Sequence, residues 1–258
     1  MNEEGGARDR TKPPLGDPPR DGPTWVEAGA SGYNDPVALA DLYRARFGAQ
    51  EHATASRARE TTWRVLCDEW FPQFITRGDT VLELGAGHGE FINNVRAGRK
   101  LAVDLNADTS DFLEASVEFH QTNVVSLDTI PSDSIDVVFS SNLMEHLGDA
   151  DTLVATLCEA RRVLRSGGTI ISLVPNAKYV GMAFYDFLDH TLPLTDKSFD
   201  EALTIAGFQS EVMIPRFLPY TAQNLSWAPP PAGIRAYLKC RPAWRLLGKQ
   251  FFSVARVP

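Results

Sequence analysis

The stretch Val81-Leu-Glu-Leu-Gly-Ala-Gly-His-Gly-Glu-Phe-Ile92 constrains the fold more than any other part of the chain. An apolar run of strand length ends in glycines at 85, 87 and 89, and apolar residues then resume at helical spacing. Glycines at such a turn let a ligand lie against bare backbone. The first N–H groups of a following helix would be left over to receive it. Asp104 ends the next apolar run, nineteen residues after Gly85, where a carboxylate can accept hydrogen bonds from ribose hydroxyls.

The alternation continues downstream. TVLELG reads as a strand, EFINNVRAG as a helix with Phe91, Ile92 and Val95 inward, and KLAVDLN as a second strand followed by a short helical segment through Leu113. VEFHQTNV and SIDVVFSSN are the third and fourth strands. Asp149 to Leu164 is a helix, with Leu153, Leu157, Ala160 and Leu164 on one face. GGTIISLVPN is the fifth strand, and its leading glycines stop that helix. Ser198 and Glu201 suggest a capping box for a helix ending at Gly207; FQSEVMIP and KQFFSVAR are the last strands. Strand–helix alternation predicts a Rossmann-like, doubly wound α/β sheet, mostly parallel, with helices on both faces.

The glycine spacing bears on the cofactor. A dinucleotide fingerprint would need a third glycine at position 90, which is Glu90. Acids at 83 and 90 suit a cationic amine and sulfonium better than a diphosphate, and S-adenosylmethionine fits that description. At this point the sequence resembles the class I S-adenosylmethionine-dependent methyltransferases. Glu83 to Gly89 is similar to their first motif, Asp104 to the acid ending strand two, and Asn123 to the adenine-contacting position. Ile135 to Leu147 resembles the fourth-strand motif, and Arg162 to Thr169 the turn before strand five. The closing KQFFSVAR resembles the antiparallel final strand of a seven-stranded sheet. Ser166 replaces a usual proline, and Asn123 a commoner aspartate. The resemblance implies S-adenosyl-L-methionine as cofactor. Its binding set would be Glu83, Gly85, Ala86, Gly87, Gly89, Asp104, Leu105, Asn106, Asn123, Val124, Ser140 and Asn142.

Ligands of an open α/β sheet bind beyond the carboxyl ends of its strands. That rule selects Asn142, Glu145 and His146 after strand four, and Asp186, Asp189 and His190 after strand five. His190 lies in the connection FYDFLDHTLPLT, too long for a simple crossover, and is the expected general base, with Asp189 to tune it. The plainer alternative is that both brace the loop. His146 completes the candidate catalytic set, although packing also explains it. Glu145-His146 resembles a carboxylate–histidine pair that binds a divalent ion in some quinone O-methyltransferases. Those carry a second Glu where this chain has Asn142, so no metal is expected. Arg59 and Trp63 suit a cap over the cofactor, with helix packing the plainer role for Trp63.

Charge is unevenly distributed. The chain carries −8 net, yet from Val212 to Pro258 there are seven basic residues and no acid. The acidic remainder argues against nucleic acid as partner. The basic segment 215–250, interleaved with aromatics, reads as a solvated helix pair packing through Tyr237, Leu238, Trp244 and Leu247. It also suits an anionic acceptor such as a nucleotide- or lipid-linked sugar, or contact with an anionic membrane helped by Trp244. Three scattered cysteines, no hydrophobic leader and no apolar run of spanning length fit a cytoplasmic protein without a transmembrane segment. Residues 1–24, rich in glycine, proline and charge, are expected to be a disordered tail. Residues 25–78 are read as a helical cap, with helices over Pro36–Phe47 and Ser56–Phe74, and 79–258 as the cofactor domain with an acceptor loop at 177–195. The expected reaction is methyl transfer to a small molecule, foremost O-methylation of a sugar or glycosylated metabolite in small-molecule or glycan biosynthesis. N- or C-methylation of an amino sugar or other natural-product intermediate is the alternative. A non-catalytic module keeping the fold is disfavoured by the intact glycines and Asp104.

Overall fold

The computed structural model describes residues 53–220 and 229–258, with side chains from residue 57 onward. The tail and the first expected cap helix lie outside the described residues. Seven strands form one sheet: β1 (Thr80–Leu84), β2 (Arg99–Asp104), β3 (Val117–Gln121), β4 (Ile135–Ser141), β5 (Leu164–Pro175), β6 (Gln209–Ile214) and β7 (Gln250–Arg256). Their order is β3-β2-β1-β4-β5-β7-β6. The first five pair in parallel, while β7 runs antiparallel between β5 and β6. The order reverses between β1 and β4, so a crevice opens there at the strands' carboxyl ends.

Strict alternation of side chains along the central strands makes two cores. Leu82, Leu84, Val138, Ile170 and Phe251 face one side, against α2 (Ala150–Val163) and α4 (Asp196–Ile205). Val81, Val137, Phe139, Ile171 and Phe252 face the other, against α1 (Ala53–Glu69), α5 (Pro231–Lys239) and α6 (Arg241–Leu247). Each fully buried side chain of this size contributes roughly 1.5–3 kcal/mol. A one-turn helix, α3 (Ala177–Val180), follows β5 and leads into a 3-10 segment, Gly181–Asp186. Among the described residues, no helix is long and apolar enough to cross a membrane.

Several local expectations are corrected. The segment 90–98 forms turns rather than a helix, although Phe91, Ile92 and Val95 are buried as expected. Its i→i−4 bonds, Asn93 N–H to Gly89 O and Val95 N–H to Phe91 O, complete about one turn. Asn93 then turns aside: its amide donates to Phe112 O and its side-chain oxygen accepts from Glu114 N–H, so the side chain serves the neighbouring loop. Helix α2 stops at Val163 with Leu164 already extended. Gly167 and Gly168 instead lie inside β5, where Gly167 takes φ +76°. The cap of α4 is Thr195, whose hydroxyl accepts from Ser198 N–H while Ser198 Oγ accepts from Thr195 N–H; Glu201 takes no part in this box. Helix α1 ends at Glu69, and Pro72 sits within the next 3-10 turn, where a missing N–H costs nothing.

Candidate active site

The loop after β1 is shaped by three left-handed glycines, Gly85 (φ +68°), Gly87 (φ +53°) and Gly89 (φ +69°). They differ in what surrounds them. A Cβ on Gly89 would meet Asn93 Nδ2 and Leu113 Cδ2 at 2.8 Å, and one on Gly85 would meet Leu143 Cδ1 at 2.9 Å. At Gly87 nothing lies within 4 Å, so bare backbone faces open space. Asp104 organises that surface: Oδ2 accepts from Gly87 N–H and Oδ1 from Asn106 N–H, both at 2.8 Å. A carboxylate offers about four acceptor sites in all, the chemistry a diol needs. Burial pushes the Asp104 carboxyl above its ordinary range, against the pull of the Asn106 and Gly87 N–H groups.

The other expected cofactor residues divide into those that face the crevice and those that brace it. Glu83 is buried and its Oε2 accepts from Ile92 N–H at 3.0 Å, so it holds the turn from beneath. Burial raises its carboxyl well above the usual range, and the nearby Glu90 charge adds to that. Asn106 caps the 3-10 segment Ala107–Phe112, and Asn123 Oδ1 accepts from Val125 N–H at 3.1 Å. Ala86, Val124 and Ser140 are buried, Leu105 is half-buried, and Asn142 is exposed in a left-handed conformation (φ +49°) at the end of β4. Glu90 pairs with Arg59 of α1 at 3.0 Å, which ties the expected cap to the loop. Trp63 packs among Phe71, Phe91 and Phe139, in keeping with the plainer of its two roles. His88 lies against the Phe112 ring at 4.4 Å.

The expected catalytic residues come together across the β4 and β5 ends. Leu143, the residue that fills the space over Gly85, starts the turn that carries Glu145 and His146, and its carbonyl accepts from His146 N–H. Leu192 N–H donates to Glu145 O at 3.0 Å and ties the β5 connection to that turn. His146 Nδ1 lies 3.0 Å from Asp189 O and 3.2 Å from Asp189 Oδ2. A carbonyl oxygen only accepts, so Nδ1 carries a proton and Nε2 presents a lone pair. The His190 ring stands edge-on to His146 at 4.8 Å and packs against Phe184 and Phe187.

Glu145 is the residue that sequence reasoning underweighted. It is 1% exposed, neither carboxylate oxygen has a hydrogen-bond partner among the described residues, and Oε1 lies 4.0 Å from His146 Nε2. Burial pushes its pKa up to about 7, with the His146 charge pulling the other way. For His146, burial lowers the pKa, but the Asp189 hydrogen bond and the Glu145 charge outweigh it, and the net shift is upward. Ligand atoms of Glu145, His146 and His190 all lie within 4.8 Å of one another. An ion holding each at about 2.1 Å would need ligand atoms no more than roughly 4.2 Å apart. The signal for Glu145 in the sequence was its place one residue before a histidine at a strand's carboxyl end.

A sheet of this order, with a glycine turn after β1, an acid after β2 and titratable groups after β4 and β5, is that of a Rossmann-like α/β protein. Residues 82–172 match the family described as "Methyltransferase domain". That stretch is similar to the class I S-adenosylmethionine-dependent methyltransferases, for which the cofactor is S-adenosyl-L-methionine. The chain is 32% identical over 142 residues to a protein of Mycolicibacterium smegmatis named as a probable S-adenosylmethionine-dependent methyltransferase, covering 52% of this chain and 53% of that one. It is 25% identical over 114 residues to "Probable methyltransferase ltbC" of Aspergillus luteorubrus, covering 38% and 40%. The chain thus spans about half the length, or less, of the curated relatives it matches. Its fold is similar to that of a SAM-dependent methyltransferase from Archaeoglobus fulgidus, with TM-score 0.58 and 20% identity over 83% of this chain and 97% of that one. The residues present fit the cofactor: Gly87 offers open backbone, Asp104 offers acceptors for a diol, and no lysine or arginine lies between positions 83 and 90.

Proposed function

We propose that this protein transfers a methyl group from S-adenosyl-L-methionine to a hydroxyl of a small molecule, with a sugar or glycosylated metabolite as the acceptor class. One observation carries the reading: the cofactor loop and an oriented imidazole share a wall through Leu143, which touches the space over Gly85 and begins the turn bearing His146. When bound, the cofactor supplies an electrophilic methyl on a sulfonium. Gly85, Gly87 and Asp104 hold it, and Arg59–Glu90 closes the loop from the side of α1. His146, fixed at Nδ1 by Asp189, receives the acceptor's hydroxyl proton at Nε2, as an oriented base does in other hydrolase and transferase sites. His190, the base expected from sequence, stands beside His146 at 4.8 Å; the proton is assigned here to His146 because Asp189 holds that ring. Glu145, near Nε2, favours the protonated imidazole and so helps it keep that proton. A hydroxyl acceptor needs such a base, whereas a free amine does not, which is why oxygen is preferred.

The test is product analysis. The purified chain with isotopically labelled cofactor and panels of nucleotide- and lipid-linked sugars should form S-adenosylhomocysteine together with an O-methylated acceptor. Labelled product on nitrogen or carbon, with hydroxyl panels inert, would overturn the acceptor assignment.

A further inference from the structure

Beside the β5 and β7 end of the sheet's carboxyl edge the described surface carries five large exposed apolar side chains: Met182 (81% exposed), Leu188 (80%), Leu246 (77%), Tyr185 (58%) and Leu247 (52%). They come from two segments, the 3-10 stretch after β5 with the two residues that follow it, and the end of α6 before β7. Those segments are neighbours because Pro175, ending β5, pairs with Gln250, starting β7, and Asn176 N–H donates to Lys249 O at 2.9 Å. Arg216 stitches them further. Its guanidinium covers the Tyr179 ring at 4.7 Å, and Nη2 donates to Leu246 O at 2.8 Å. Apolar side chains this exposed, on two segments joined in this way, give the water-facing surface an apolar rim that calls for a partner.

The charges around the patch say which partner. Lys178, Lys239, Arg241 and Arg245 are exposed, and none has a carboxylate in ion-pair range among the described residues. Arg235 and Arg256, by contrast, are paired with Glu69 and Glu211. Asp186 is the acid exposed within the 3-10 stretch. A second copy of this chain would set the same unpaired cations against each other. We propose that this rim docks on an anionic phospholipid bilayer, the leucines and Met182 entering the headgroup boundary while the cations meet lipid phosphates. Trp244, expected from sequence to anchor such a contact, is not the anchor. It is buried, with Nε1 donating to Tyr237 O at 2.8 Å and its ring against Trp70 and Phe217. Leu247, expected to pack the helix pair, is exposed and joins the rim instead. Leu188 directly precedes Asp189 and His190, so docking would bring the acceptor side to the lipid surface.

This inference goes beyond methyl transfer and does not require it, since vesicle binding needs neither cofactor nor turnover. The full chain should co-sediment with vesicles of equal parts phosphatidylglycerol and phosphatidylcholine at low salt, and not with pure phosphatidylcholine. Arg241→Gln with Arg245→Gln should weaken binding about 25-fold, at roughly five-fold per cation near the surface. Leu246→Ser with Leu247→Ser should weaken it about ten-fold or more. Circular dichroism should show both variants folded, because all four side chains are exposed. A wild-type chain that stays in the supernatant would overturn the proposal. So would a leucine variant that binds as wild type does, or self-association that the leucine changes abolish without any vesicle binding.

Discussion

Asp189 fixes the imidazole of His146 through two acceptors at once, its own carbonyl 3.0 Å and its carboxylate 3.2 Å from Nδ1. The two residues are 43 positions apart and meet because β4 and β5 are adjacent and parallel. The pairing selects one tautomer and aims the other ring nitrogen toward Glu145. If that nitrogen is the base, His146→Gln should lower kcat by roughly 10²–10⁴-fold with cofactor affinity nearly unchanged. Asp189→Asn should follow it in direction, since a wrongly presented imidazole is a poor base. Normal turnover by both variants, measured with saturating acceptor, would reduce the pair to a loop brace and leave positioning as the source of rate.

The rate should also report the charges around His146. Its pKa is raised, so the limb on which kcat rises as the base deprotonates should lie above the ordinary imidazole value of about 6.5. Glu145→Gln removes a negative charge that favours the imidazolium, and the limb should move to lower pH. A profile unmoved by this change would mean that Glu145 is not coupled to the base.

Stability carries an independent trace of the same carboxyl. Glu145 is raised from 4.5 to about 7 in the folded state, so the folded chain binds its proton more tightly than the unfolded chain does. Stability is therefore greatest below the unfolded value and falls as pH rises toward 7, by up to about 3 kcal/mol. The raised His146 pKa adds a loss of the same sign at higher pH. Urea unfolding at a series of pH values should show this decline in the wild type and a flatter curve in Glu145→Gln. Equal slopes would contradict the buried-acid assignment.

The sheet was legible because its strands are short apolar runs between turn residues, and TVLEL, RKLAVD and QFFSVAR occupy β1, β2 and β7 nearly as read. The turn at 90–98 was not, since Phe91, Ile92 and Val95 have helical spacing whether or not the backbone completes a helix. Only Asn93 giving its side chain to Phe112 O and Glu114 N–H shows why it stops. At α4 both Thr195 and Ser198 could begin a helix, and the mutual bond between them decides it. The sequence brought Asp189, His190 and His146 forward as one candidate set, which the structure places together, but it did not show how they pair. Asp189 is adjacent to His190 in sequence, while the contact that orients a ring is made to His146 across strands. Trp244 in a basic helix looks like a surface anchor on paper, and the aromatic cluster of Trp70 and Phe217 that buries it comes from distant segments.

The glycines of the loop should separate folding from binding. Gly89→Ala places a methyl 2.8 Å from Asn93 and Leu113 at a left-handed residue, so it should destabilise the fold itself. Gly87→Ala meets no neighbour and should cost the fold only the left-handed penalty of roughly 1–2 kcal/mol. Its methyl would occupy the proposed cofactor face, so cofactor affinity should drop at least about ten-fold, beyond anything its stability loss explains. Undiminished affinity in folded Gly87→Ala, followed by titration calorimetry, would place the cofactor elsewhere.

Titration calorimetry with S-adenosyl-L-methionine on the wild type and Asp104→Ala puts the assignment of this site to the strongest test. The wild type should bind one cofactor per chain. Asp104→Ala, verified as folded, should bind roughly 10- to 100-fold more weakly, the loss expected when a partly buried acceptor for a neutral diol is removed and the Gly87 N–H loses its partner. A wild type that gives no binding heat, or a folded Asp104→Ala that binds as tightly as the wild type, would contradict it.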